Sequence, residues 1–302
     1  MKIIANSVDI EVDISGRRAD GEGRTLPVVL LIMGLGMQLT AWPPALVQAL
    51  VEAGFCVVRF DNRDAGLSQQ LSFLGTPNLV VESLKYKLGW RLKPPYTVQD
   101  MAQDALGVLD ALGIAAAHVV GVSMGGMIAQ RVALSAPGRT LSLTSIMSSS
   151  GARSLPGPAP YVTRALLSRP AGRSEEAAIA HAVKLFTLIA SPGFPRDAAA
   201  LQQQVAQATR RGYHPAGTAR QMVAVVADTA RTAELHRITA PTLVIHGRAD
   251  PLVPFACGED TAARIPGAEL VGIDGMGHDM PPGVVTHILS ALLPHLQRVA
   301  AA

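Results

Sequence analysis

Short, largely apolar runs recur along this chain at 26–33, 55–60, 117–122, 141–147, 242–246 and 269–273, and between most of them lie amphipathic stretches or turns. A strand covered on both faces reads as such a run, because neither set of alternating side chains meets water. Runs that alternate with helical patterns argue for a parallel sheet flanked by helices. The expected class is therefore α/β, with a mostly parallel sheet. Residues 8–14 differ: Val8-Asp9-Ile10-Glu11-Val12-Asp13-Ile14 alternates apolar and acidic side chains. That period of two predicts an exposed antiparallel edge strand.

Helices are expected over 42–53, with Pro43-Pro44 in the first turn, and from Thr97 to Gly113. There Thr97 is the predicted N-cap and Asp100 the acceptor of a capping box, with Met101, Ala105, Val108, Leu109 and Leu112 on one face. Further helices are expected over 124–134 and 284–298. Residues 69–96 read as an irregular connection. From 151 to 232 the chain is rich in Ala, Arg, Gln and Pro and has no strand-like run. Helical stretches near 174–190, 196–212 and 216–230 make this segment an expected lid. The expected organisation is a core of 1–150 and 233–302 interrupted by a helical lid of 151–232.

Hydrophobic residues make up 49% of the chain and charged residues 16%, which excludes a disordered polar chain. Net charge is +3 and the basic residues are scattered, so no nucleic-acid partner is indicated. Cys56 and Cys257 have no metal-ligand spacing and read as free thiols. The N-terminus lacks an apolar signal core, and no apolar window is long enough for a transmembrane helix. A cytoplasmic protein with no membrane span, monomeric or homodimeric, is the expectation.

The chemical signal is Gly121-Val122-Ser123-Met124-Gly125, set between a buried run and a helix. A sharp strand-to-helix turn needs small residues two positions either side of its apex, and it lifts the apical hydroxyl above the carboxyl ends of the strands. A serine hydroxyl needs a base. Of eight histidines, His278 lies in a Gly-rich loop, Gly275-Met276-Gly277-His278, between the last strand and the last helix. His118 and His246 belong to strands. His181, His214 and His236 lie in or beside the lid, and His287 and His295 are expected to be exposed on the last helix. The acid is expected at Asp250, in the loop after 242–246. Asp274 and Asp279 are too close to His278 in sequence to swing beneath it, and 141–151 holds no acid. The order Ser, Asp, His then fits.

An oxyanion also needs two donors. The Met124 backbone N–H is one candidate. The Leu35 N–H, in Met33-Gly34-Leu35-Gly36, is the other, although 34–36 also reads as a plain Gly-rich turn. Trp90, Tyr161, Phe186 and Met222, with Leu79, are candidate pocket residues and equally candidates for ordinary packing. No metal or organic cofactor is required by such a site.

On these motifs the chain resembles the α/β-hydrolase family along nearly its whole length, least in the lid. Asp61-Asn62-Arg63-Asp64-Ala65-Gly66-Leu67-Ser68 is similar to a family segment. With Met33-Gly34, Leu39-Thr40-Ala41-Trp42-Pro43 and His118-Val119-Val120-Gly121-Val122-Ser123-Met124-Gly125, it looks most like bacterial esterases of the aclacinomycin methylesterase type. The resemblance implies a serine esterase acting through Ser123, His278 and Asp250 on small to medium, largely apolar esters. Lactone, C–C bond or perhydrolase chemistry on the same triad is an alternative, as is a ligand-binding protein with negligible turnover. Two departures stand out: Met33 where many members have His, and Asp64 where the family has Gly. Relatives with Asp as nucleophile, the dehalogenases and epoxide hydrolases, are disfavoured by Ser123.

Overall fold

The chain enters its sheet through a hairpin. In the computed structural model, which describes residues 1–19, 21–23 and 25–300, β1 (Lys2–Ala5) pairs antiparallel with β2 (Val8–Ser15). The turn residues Asn6 and Ser7 have φ of +49° and +62°, the signs a two-residue type I′ turn requires. This corrects the expectation for 8–14. The segment is a strand with Val8, Ile10 and Val12 buried as its alternation demands, but it is not the edge. The edge is β1, four residues too short to show a period.

β3 (Val28–Ile32) and β4 (Cys56–Phe60) follow, linked by α1 (Pro44–Glu52), which starts later than expected because Trp42 and Pro43, each preceding a proline, are extended. α2 (Leu79–Lys87) and α3 (Val98–Ala111) lead to β5 (Ala117–Val122). The connection over 69–96 is thus partly helical. Asn78 caps α2, accepting from the Val80 and Val81 amides at 3.1 and 3.3 Å. α3 has the expected capping box between Thr97 and Asp100. α4 (Met124–Ser135) and β6 (Thr140–Ile146) come next.

Between β6 and β7 (Thr242–Gly247) lie α5 (Pro160–Leu166), α6 (Glu175–Leu188), α7 (Ala198–Gly212) and α8 (Pro215–Ala227). α5 had no counterpart in the sequence reading. Nor did α9 (Phe255–Arg264), the crossover that a parallel pair such as β7 and β8 (Glu269–Ile273) requires. α10 (Pro282–Ala300) closes the chain.

The strand order is β1-β2-β4-β3-β5-β6-β7-β8, parallel from β4 to β8. This is the mostly parallel, helix-flanked architecture the resemblance implies. Alternation along β3 explains its continuous apolar run: Val28, Leu30 and Ile32 join the core under α3 and α4, and Val29, Leu31 and Met33 join the core under α1 and α10. Each such buried side chain contributes roughly 1.5–3 kcal/mol. Contrary to expectation His295 is also buried, 3% exposed on α10. Cys56 and Cys257 are free and buried, as expected.

The chain passes from β3 outward to β4, then returns across β3 to β5 and on to β8. The carboxyl ends of β3 and β5 flank this reversal, where open α/β sheets form their ligand crevice. The 34–36 turn and Ser123 leave from those two ends.

Candidate active site

Ser123 sits between β5 and α4 with φ +56° and ψ −120°, a region costly for a residue with a Cβ. Close packing enforces it. A Cβ on Gly121 would lie 2.0 Å from the Gly125 carbonyl oxygen, and one on Gly125 would lie 2.0 Å from that of Ile32. Strand and helix can pass only where both positions are glycine. The strained residue is also tied at both backbone groups: its N–H donates to the Ile146 carbonyl at 2.9 Å, and its carbonyl accepts from Ser148 Oγ at 2.7 Å.

The structure brings the three sequence-predicted side chains together. His278 Nε2 lies 3.0 Å from Ser123 Oγ, and His278 Nδ1 lies 2.6 Å from Asp250 Oδ2. A carboxylate only accepts, so Nδ1 carries the proton and donates, which leaves Nε2 as acceptor for the serine hydroxyl. The other Asp250 oxygen accepts from the Leu252 and Val253 amides at 2.8 and 2.9 Å. The carboxylate, wholly shielded from solvent, is thus held by backbone on one side and imidazole on the other. Asp274 points away, 93% exposed and 3.1 Å from Arg248.

His246 supports this loop, a role its place in β7 did not suggest. Its Nε2–H donates to the Val253 carbonyl at 2.7 Å, and burial lowers its pKa so that it stays neutral beside Asp250.

The loop carrying His278 is gripped by the segment between α6 and α7. The His278 amide donates to the Ile189 carbonyl at 2.7 Å, and the Gly193 amide to the Gly275 carbonyl at 2.9 Å. Ser191 Oγ accepts from the Gly277 amide at 2.9 Å and donates to Asp279, which also accepts from the Ser191 amide and from Arg196 Nη1, both at 2.9 Å. So Asp279, set aside as a triad acid, fastens the His278 loop to the helical insertion. Ser191→Ala removes the middle of that contact. We expect kcat to fall about tenfold through misplacement of the imidazole, with KM nearly unchanged and the thermal midpoint lowered by only a few degrees by the unpaired Gly277 amide. Steady-state kinetics beside a melting curve check this.

Next to Ser123, a Cβ on Gly34 would lie 3.2 Å from Ser123 Cβ and 3.7 Å from Oγ, so the 34–36 turn runs directly against the hydroxyl. Among the described residues the Leu35 and Met124 backbone N–H groups have no protein acceptor. The turn is pinned on either side of Leu35. Asn62 Nδ2 donates to the Met33 carbonyl at 2.9 Å, and the Gly36 amide donates to Gln221 Oε1 at 2.8 Å. Gln221, buried on α8, also donates to the Arg63 carbonyl at 2.8 Å. Met33 itself packs in the core beneath.

Asp64, where the resemblance expects glycine, adopts the left-handed φ of +66° that a glycine would. Its carboxylate accepts from Arg220 Nη2 and Nε at 2.6 and 2.7 Å, from Tyr96 Oη at 2.8 Å and from the Leu71 amide at 2.8 Å. The pair is buried and joins the β4 loop to α8. Burial pushes the Asp64 carboxyl up, but the Arg220, Leu71 and Tyr96 hydrogen bonds outweigh it and hold it below the ordinary carboxylate value. With the folded pKa lowered, the pair's contribution is complete above the unfolded value and is lost as pH falls through the folded one. Asp64→Asn, which tolerates this φ, leaves Arg220 unpaired and is expected to cost about 3 kcal/mol near neutral pH. The gap should narrow below about pH 4. Urea unfolding of both proteins across pH reads it.

The candidate pocket residues differ in setting. Phe186 packs with Ile179, Leu201 and Val205 inside the insertion. Trp90 and Tyr161 are 61% and 51% exposed. Leu79 and Met222 are half-buried, Met222 one residue past Gln221.

A family model described as the alpha/beta hydrolase fold matches residues 27–281. The chain is 33% identical to the rhodomycin D methylesterase of Streptomyces sp. strain C5, over 88% of this chain and 90% of that one. It is 32% identical, with the same coverage, to the enzyme of that name from Streptomyces peucetius. Among solved structures, the enol-lactonase of Burkholderia xenovorans LB400 superposes with a TM-score of 0.76 at 24% identity, covering 98% of this chain and all of that one.

Proposed function

This chain belongs to the α/β-hydrolase family, and we propose that within it Ser123, His278 and Asp250 hydrolyse carboxylic esters through an acyl-enzyme. The observation that carries the reading is the continuous run of two hydrogen bonds from Asp250 through His278 to Ser123, at 2.6 and 3.0 Å. Ser123 Oγ attacks the acyl carbon as His278 Nε2 takes its proton. The Leu35 and Met124 N–H groups receive the oxyanion, where each such donor is worth about 10²–10³ in rate. The proton on His278 then passes to the leaving alcohol, and the same imidazole activates the water that releases the acid. Asp250 keeps the imidazole in its working tautomer and stabilises the imidazolium.

The likeness to methylesterases supports a methyl or other small alkyl ester as the bond cleaved, on a small to medium, largely apolar acid. We propose that the insertion, 151–232, forms the cap of the site and that Met222 on α8 is the side chain nearest the acyl group. Trp90 and Tyr161, being mainly solvent-exposed, are given no contact with substrate. The test is a panel of methyl and nitrophenyl esters with matched lactones, assayed on the purified protein. Multiple turnover of the esters supports the proposal. Acylation without turnover would assign the chain to ligand retention instead.

A further inference from the structure

We propose that α2 and the segment that follows it form a docking surface for an anionic lipid bilayer. Val80, Val81, Leu84 and Leu88 stand at i, i+1, i+4 and i+8, within an arc of about 100° on a helix. All four point to solvent, Val80 at 69% and Leu84 at 58% exposure. Trp90 ends the stripe. Soluble helices ordinarily turn such a face to the core, and a contiguous exposed apolar patch marks an interaction site. The opposite face of α2 is already used: Leu79, Ser83 and Tyr86 are half-buried, the helix packs on α8, and Arg153 stacks on the Tyr86 ring 5.0 Å from its centre. The outward stripe is therefore surplus to the fold.

Charge decides what covers it. Lys85, Lys87, Arg91 and Lys93 lie in or just after the helix, and no acid occurs between Glu82 and Asp100. Glu82 is itself paired with Lys85 at 2.6 Å. Two copies meeting face to face on this stripe would bring a net of three positive charges against three, four basic residues less the paired Glu82 on each copy, whereas an anionic surface complements them. Each basic residue near such a surface is worth about fivefold in partition. Lysine stems can lie along the apolar stripe with their ammonium groups among the headgroups, and tryptophan favours that boundary. Among the described residues no helix is long and apolar enough to cross a membrane, so the docking is peripheral, with the helix lying in the interface.

The experiment uses the full chain with phosphatidylglycerol and phosphatidylcholine vesicles, read by co-sedimentation and by tryptophan emission. Of the two tryptophans, Trp42 is buried, so a change in emission reports Trp90. Expected are a blue shift and co-sedimentation with phosphatidylglycerol, at least tenfold weaker partition onto phosphatidylcholine, and loss of binding as salt rises from about 0.1 to about 1 M, over which the screening length drops from ~10 to ~3 Å. The double variant Leu84→Glu, Leu88→Glu should lose at least tenfold in partition while its vesicle-free ester turnover is unchanged. No co-sedimentation with phosphatidylglycerol at low salt, or equal binding by the double variant, overturns the proposal. A Trp90 blue shift that grows with protein concentration alone, together with dimers in sedimentation velocity, also overturns it and assigns the stripe to a second copy.

Discussion

Ser123→Ala is expected to lower turnover of a short-chain nitrophenyl ester by about 10⁶-fold, a loss that only His278→Ala should match. The substitution removes one oxygen from a residue whose backbone is fixed by the Ile146 carbonyl and the Ser148 hydroxyl and by the packing of Gly121 against Gly125. Those contacts are independent of the Ser123 side chain, so the fold and the two free amides at Leu35 and Met124 should survive. What survives with them is the residual rate from binding and oxyanion stabilisation, about 10³–10⁴ above water. Stopped and initial-rate assays on protein with an unchanged melting curve measure the loss. A variant that retained most of the wild-type turnover would place the nucleophile elsewhere.

Asp250→Ala should lose about 10⁴-fold, less than the serine because the imidazole can still accept a proton. Two losses combine. Without the carboxylate, His278 Nδ1 has no acceptor to fix its tautomer, and the imidazolium formed during attack has no counter-charge within 2.6 Å. The Leu252 and Val253 amides also lose their acceptor, while the His246 bond to the Val253 carbonyl remains to hold the loop. The fall should appear in kcat rather than KM, since the Asp250 carboxylate is wholly buried behind the His278 ring. A loss confined to KM would argue that Asp250 binds substrate instead of orienting His278.

The parts legible in the sequence were those in which one residue type is physically forced. Strands buried on both faces must be apolar throughout, so β3, β5 and β7 stood out. The elbow must be glycine where a Cβ would meet a carbonyl at 2.0 Å, so Ser123 was marked by its neighbours. His278 was marked by a glycine-rich loop, and the cause is visible: a Cβ on Gly277 would lie 2.5 Å from the Ala190 carbonyl. That carbonyl belongs to the insertion, and nothing in the local pattern pointed to it. Contacts between distant segments left no periodic trace. Ser191 meets Asp279 across 88 residues, and Asp64 meets Arg220 across 156. α2 was hidden because its nine residues make only about two and a half turns, too few for its apolar spacing to stand out from the surrounding connection. β1 was hidden because four residues cannot display a period. His295, expected at the surface from its place on a terminal helix, is buried where α10 packs against the sheet.

If Ser123 forms the covalent acyl intermediate, a fluorophosphonate probe should modify it regardless of which ester is the substrate. One equivalent of adduct per chain is expected by intact mass, located by peptide mapping to Ser123. The adduct should be absent in Ser123→Ala and should form more than a thousandfold more slowly in His278→Ala. Wild-type protein that hydrolyses esters yet takes up no probe, or carries it on another residue, would rule out Ser123 as the nucleophile.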